Sequence, residues 1–218
     1  MPLKGTAFIA LWQSVPPETE AEFRLWHARE HLPDFMKDDG LISARRYADG
    51  EGSLGRYFIF YEAQDQAALE ARKPRPTVWS ERIRPQLRDR RRHVCKVLGS
   101  AGGGLGGAAA TLLFPLSGDQ PEKEAAAVVA SLIELQCITA AHLGQVIDGE
   151  GIPMGLLILE SFSRHQLAGE MPKIALALQE QGAGLAQPIW SHYQLVQTIR
   201  KDELDDIKPL TRPPSIDP

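Results

Sequence analysis

The amino-acid sequence predicts an α+β protein built from two successive βαββαβ units whose sheets pair within one chain. Three observations predict it. The element order strand, helix, strand, strand, helix, strand can be read twice along the 218 residues. A glycine-rich run, Gly99-Ser-Ala-Gly-Gly-Gly-Leu-Gly-Gly-Ala-Ala, divides the chain near its middle. The tetrapeptide Asp-Gly-Glu-Gly occurs at 49–52 and again at 148–151.

Taken in order, Thr6–Gln13 is apolar and β-prone, and reads as a strand. Glu18–Asp38 opens behind Pro16-Pro17 with acids in the first turn and closes at Asp38-Asp39-Gly40, so it reads as a helix. Leu41–Ala48 and Arg56–Glu62 are strands joined by a hairpin loop over Asp49–Gly52. A helix is expected from Asp65 to about Arg90, interrupted by Pro74, Pro76 and Pro85, and a strand over His93–Leu98. The second unit repeats the order with Thr111–Leu116, Glu122–Leu135, Ile138–Ile147, Met154–Phe162, Arg164–Gln181 and Ile189–Ile199. Leu41-Ile-Ser-Ala echoes Cys137-Ile-Thr-Ala, and His93 echoes His192, at offsets of 96 and 99 residues. The expected organisation is therefore a first ferredoxin-like unit over 1–99, a linker over 100–110, a second unit over 111–201 and an extended arm over 202–218. A sheet with helices on one face leaves the other face bare. Two such sheets can cover each other, leaving a cavity between or beside them.

Composition narrows the function classes. The formal charge is −4, split as +3 over residues 1–100 and −7 over 101–218, which argues against a dedicated nucleic-acid binder. Neither Cys95 nor Cys137 sits in a CxxC or Cys/His cluster. No apolar run reaches 18 residues, and the run Ala7–Trp12 is too short for a signal peptide. The expectation is a soluble cytoplasmic protein with no membrane and no nucleic-acid partner.

Within the first unit, Phe23-Arg-Leu-Trp-His-Ala-Arg-Glu-His-Leu-Pro followed by Asp39-Gly-Leu-Ile-Ser-Ala-Arg-Arg-Tyr resembles the EthD-like branch of the dimeric α+β barrel superfamily, over roughly residues 5–98. The second half matches in element order only, and its first helix lacks the Glu-His-x-Pro signature. The resemblance implies a cavity for a small hydrophobic organic molecule. It also implies a functional role for the motif histidine, here His31. Relatives include cofactor-independent monooxygenases, lactone isomerases, polyketide cyclases and haem-handling enzymes. One working site and one structural copy are implied, with the fused pair free to associate further as a homodimer.

His27 and His31 lie four apart on a predicted helix and share a face, with Phe23, Trp26 and Glu30 nearby. Imidazoles beside an apolar pocket can move protons near neutral pH, whereas a histidine in an aromatic stripe is more commonly core. The expected catalytic residues are His31, His27 and Tyr61, working without a cofactor. The expected substrate-binding residues are Trp12, Trp26, Tyr47, Tyr57 and His93. A non-catalytic ligand-binding or accessory protein is the alternative.

Other motifs are weaker. His27-Ala-Arg-Glu30-His31 matches H-x-x-E-H of inverted zinc proteases, but Pro33 follows at once and no distant ligand can be singled out. Gly102 to Gly107 fits G-x-G-x-x-G, yet it leads into a strand rather than a helix and reads as a linker. Nine basic residues between Arg72 and Arg92 face only Glu81 and Asp89, and read as a solvated surface sooner than a nucleic-acid patch. His93 and His192 occupy comparable positions in the two last strands and are candidates to meet across a pseudo-twofold axis.

Overall fold

A computed structural model describes residues 2–52, 55–116, 121–180 and 189–206. The first unit runs β1 (Ala7–Ser14), α1 (Pro17–Trp26), a π-helical turn (His27–His31), α2 (Leu32–Met36), β2 (Leu41–Gly52), β3 (Tyr57–Ala63), α3 (Gln66–Glu70), α4 (Val78–Ile83) and β4 (Arg88–Gly102). The second runs β5 (Ala108–Pro115), α5 (Pro121–Leu132), β6 (Ile138–Val146), β7 (Met154–Ser161), α6 (Arg164–Glu180) and β8 (Ile189–Arg200). The eight strands close into one antiparallel barrel in the order β1-β3-β2-β8-β5-β7-β6-β4. Each half thus contributes the same four-strand arrangement, β4-β1-β3-β2 and β8-β5-β7-β6. The seams are β2 on β8 and β4 on β6. Closure removes the bare sheet edges and covers both open faces at once.

Strand alternation sorts side chains into three cores. Inside the barrel, Phe8, Trp12, Tyr47, Phe58, Phe60 and Tyr193 are at most 1% exposed, and each contributes about 2–3 kcal/mol of apolar burial. These aromatics fill the middle of the barrel, so the space between the sheets is packed there. Outside it, Phe23, Trp26, Leu32, Met36 and Trp79 pack on the first sheet, and Val129, Leu132, Leu167 and Ile174 belong to the core on the second.

The two halves carry one matched contact. Glu62 is next to last in β3 and Glu160 next to last in β7, and both are buried. The Gly5 amide donates to Glu62 (3.1 Å), and the Gly106 amide donates to Glu160 (2.9 Å). Both glycines approach the residue after the glutamate so closely that a β-carbon would lie 1.8 Å from the Ala63 carbonyl oxygen or 2.5 Å from the Ser161 nitrogen.

Several expectations are revised. The helix expected over Glu18–Asp38 is interrupted by the π turn. The expected helix from Asp65 to Arg90 is instead α3, α4 and a short 3-10 turn, Arg84–Gln86. Asp65 caps α3 by accepting from the Ala68 amide (2.9 Å), and Thr77 and Ser80 form a reciprocal capping box on α4. The prolines between them end each piece, and Arg88–Arg92 already belong to β4, where every side chain is exposed. Asp49–Gly52 lies within β2, with Asp49 at φ +55° and a bulge against β8. Strand pairing also claims residues 100–102 and 108–110, leaving 103–107 to connect the units. At the carboxyl end, Lys201–Asp206 forms a 3-10 turn, and the rest of the expected arm, 207–218, lies outside the described residues. His93 and His192 face opposite ways. His93 pairs with Ala10 on the barrel side, His192 with Ala110 on the helix side. The sequence echo is one residue out of step with the pleat, which reverses the side chain.

Candidate functional site

The π turn arises from Pro33. Its ring has no amide to donate and clashes with the carbonyl four residues back, so the preceding turn widens. The Leu32 amide reaches back to the His27 carbonyl, five residues away. The carbonyl of Ala28 then accepts from Gln197 Nε2 (3.3 Å), a side chain supplied by the second unit. A second strand-to-helix tie holds the end of α1, where Arg46 Nη1 of β2 donates to the Arg24 carbonyl (3.0 Å).

This geometry presents His31 to a cavity of about 470 Å³ between the outer face of the first sheet and its helices. The His31 ring stacks on Trp26 (centroids 4.5 Å apart), and Phe35 stacks on Tyr61 (3.8 Å). Ile9 and Leu11 of β1, with Leu69 and Leu87, supply further apolar wall. Glu30 is not in the cavity. Its carboxylate accepts from Trp26 Nε1 (3.0 Å) and Thr77 Oγ1 (2.5 Å), which pins the tryptophan and the start of α4 together.

Electrostatics in the cavity are one-sided. Arg72, Arg84, Arg90 and Arg92 line it, and among the described residues no carboxylate does. The Arg72 guanidinium lies 3.8 Å over the Phe35 ring and pairs with Asp38 (3.2 Å). Burial, and then the charges of Arg72, Arg84 and Arg90, lower the His31 pKa to about 3, so its imidazole is neutral at pH 7. Burial raises the Tyr61 pKa far enough to keep its hydroxyl protonated. That hydroxyl is buried and has no hydrogen-bond partner among the described residues. A buried polar atom left unpaired inside a cavity is a ready donor for a ligand.

Of the residues expected from sequence, the fold brings His31, Tyr61 and Trp26 together and separates the others. His27 touches the ring of His31 (5.2 Å) but is buried behind it among Phe23 and Trp26, both nitrogens unpaired among the described residues. Burial, then His31 and Arg46, push its pKa well below 6.5. Tyr57 sits at the outer end of α1, where its hydroxyl donates to Glu20 (2.8 Å) and accepts from Arg24 Nε (3.0 Å). Trp12 and Tyr47 point into the barrel, Trp12 against Phe58 and donating to Thr111 Oγ1 (3.3 Å). His93 is on the same side, 6.0 Å from the Trp12 ring and 3.7 Å from Asp148. Trp12, Tyr47 and His93 therefore occupy a different compartment from His31. Gln13, Arg72, Arg84, Arg90 and Gln197 were missed as site residues. The only sequence signal for the arginines is the basic run itself.

The H-x-x-E-H pattern does not assemble as a metal-binding set. Glu30 is directed to Trp26 and Thr77, and among the described residues no three His, Cys, Asp or Glu side chains converge as a metal site.

A second feature lies inside one end of the barrel. Glu160, fully buried, pairs with Arg45, accepts from the Tyr47 hydroxyl (3.3 Å) and stands 3.6 Å from His142 Nε2. His142 Nδ1 hydrogen-bonds Ser100 Oγ (2.8 Å). Arg45 and Glu62 also line a separate pocket of about 520 Å³ at this mouth.

No protein-family model matches the chain, and no curated protein matches its sequence. Solved structures do match in fold. An anthrone oxidase-like protein superposes with a TM-score of 0.66 over 92% of this chain and 95% of that one, at 13% identity. A proposed monooxygenase of Fusobacterium nucleatum subsp. nucleatum gives 0.61 over 91% and 96%, at 9% identity. A heme-binding protein of Thermus thermophilus gives 0.54 over 94% and 96%, at 10% identity. The fold is the dimeric α+β barrel, closed within one chain. At these identities the likeness speaks for architecture.

Proposed function

We propose that this chain is an EthD-like, tandem-repeat member of the barrel superfamily that performs cofactor-free acid/base chemistry on a small hydrophobic metabolite in its first-unit cavity. The observation that carries this reading is that His31 and Tyr61, whose buried hydroxyl has no partner among the described residues, line one cavity walled by aromatic, aliphatic and basic side chains. Tyr61 would donate a hydrogen bond to a substrate carbonyl or phenol oxygen. Neutral His31 would take a proton from the adjacent carbon or hydroxyl and return it at another atom. That sequence isomerises or cyclises a substrate, and with dioxygen as oxidant it initiates oxygenation. The names of two matching structures, one anthrone oxidase-like and one a proposed monooxygenase, support this class without fixing a reaction. Two free buried cysteines favour a cytoplasmic setting. Among the described residues no helix is long and apolar enough to cross a membrane.

The test is product analysis after incubation with aromatic acids, lactones and polyketide-like ketones. Turnover should fall about 10²- to 10⁴-fold in His31→Ala if His31 is the acid/base group. Unchanged turnover in that variant rejects the role. The second reading, a non-catalytic ligand-binding protein, is favoured by the low basicity of His31. Ligand-dependent thermal stabilisation without any product would select it.

A further inference from the structure

We infer that the occupant of the first-unit cavity is an anion, a flat apolar body carrying a carboxylate or enolate-type oxygen that sits against Arg84 and Arg90. This deepens the proposed function and rests on the same cavity. Four arginines line the space, and no acid among the described residues does. Two of the four have partners, Arg72 with Asp38 (3.2 Å) and Arg92 with Asp148 (3.4 Å). Arg84 and Arg90 make no ion pair among the described residues. They come from different elements, the 3-10 turn after α4 and the start of β4, yet converge on one mouth. A surface arginine turned to bulk water needs no partner. Two that edge a cavity walled in part by aromatic and aliphatic side chains lie partly against low-dielectric material, where their field is less screened. The field extends inward, since both guanidiniums act on His31.

The wall fixes the shape of the rest of the ligand. Trp26 with His31 and Phe35 with Tyr61 form two stacked pairs that favour a planar ring system between or against them. Tyr61 also lines the cavity and its buried hydroxyl has no partner among the described residues, so a second acceptor oxygen on the ligand would suit that donor. Guanidinium recognition of a carboxylate is planar and can be bidentate, and a neutral amide of the same shape forfeits the charge-assisted part.

The experiment is calorimetric titration of the full chain with 2-naphthoate and with its neutral isostere 2-naphthamide, at low and at high salt. The naphthoate should bind about tenfold or more tightly than the amide at low salt. That gap should close to within about twofold in the Arg84→Ala/Arg90→Ala double variant and shrink at high salt. Both side chains are exposed, and an unchanged melting temperature would show that the double variant is folded. Equal affinity for the two probes, or a preference that survives the double substitution, overturns the anion inference and leaves the cavity's role standing. Binding of neither probe takes away both.

Discussion

Replacing Glu160 probes the part of the barrel where charge is least able to reach water. The side chain is 0% exposed and its partner Arg45 is 8% exposed. Glu160→Ala leaves the Arg45 guanidinium buried without its counter-charge and the Gly106 amide without its acceptor. Breaking a buried pair from one side costs about 3–5 kcal/mol. For a chain of this length that lowers the melting temperature by roughly 6–20 °C. The double substitution Arg45→Met/Glu160→Leu removes both charges while keeping apolar bulk beside Phe60, over which Arg45 now lies at 5.3 Å. Like the single variant it orphans the Gly106 amide and the Tyr47 hydroxyl, about 1–3 kcal/mol each, but it leaves no Arg45 charge behind. The double variant should therefore be more stable than the single.

The acid side of the stability curve gives an independent check. Burial alone would raise the Glu160 pKa, but His142, the Arg45 charge and the Gly106 amide outweigh it and hold it below 4.5. A depressed carboxylate contributes stability that is present above 4.5 and is lost as pH falls through its folded value. Glu160→Gln should thus be clearly weaker than the native chain at pH 7 and converge on it in strong acid. Urea unfolding at the two pH values measures both effects. A double variant less stable than Glu160→Ala, or a Gln variant equal to the native chain at pH 7, would refute the reasoning.

Two further substitutions test other links. Gly106→Ala forces a methyl group to within 2.5 Å of the Ser161 nitrogen, and Gly5→Ala to within 1.8 Å of the Ala63 carbonyl oxygen. Each should destabilise by about 1–3 kcal/mol, in the range of overpacking, and a neutral result in denaturant melts would deny the close approach. Gln197→Leu removes the donor that satisfies Ala28. It should cost about 1 kcal/mol and weaken ligand binding several-fold by loosening the turn that presents His31. Calorimetry showing native affinity would assign Gln197 no positioning role.

The fold was legible because its evidence is local and repeated. The central glycines and the apolar strand runs survive as the short 103–107 connection and the barrel strands, whereas the two Asp-Gly-Glu-Gly copies part, 49–52 lying within β2 and 148–151 between β6 and β7. The start of β4 was not legible, since Arg88–Arg92 are all exposed and so lack the apolar alternation that marks a strand. The site was half legible. Of the expected residues, His31, Trp26 and Tyr61 line one cavity. Trp12, Tyr47 and His93 do not, because the face each strand turns outward depends on register and bulges that no short motif encodes. Pro33 did signal a distorted helix, but the answering side chain, Gln197, lies 169 residues away from Ala28. Glu160 directly follows the apolar run Leu156–Leu159, and only barrel closure reveals it as a buried charge facing Arg45.

The most direct measurement uses the indole N–H groups of the protein's four tryptophans as reporters in two-dimensional NMR. Trp26 lines the proposed cavity and Trp12 lies in the packed barrel interior, on the other side of the sheet. Titration with 2-naphthoate should move the Trp26 resonance and leave that of Trp12 in place. Movement of Trp12 with Trp26 unchanged would put the ligand inside the barrel and contradict the account.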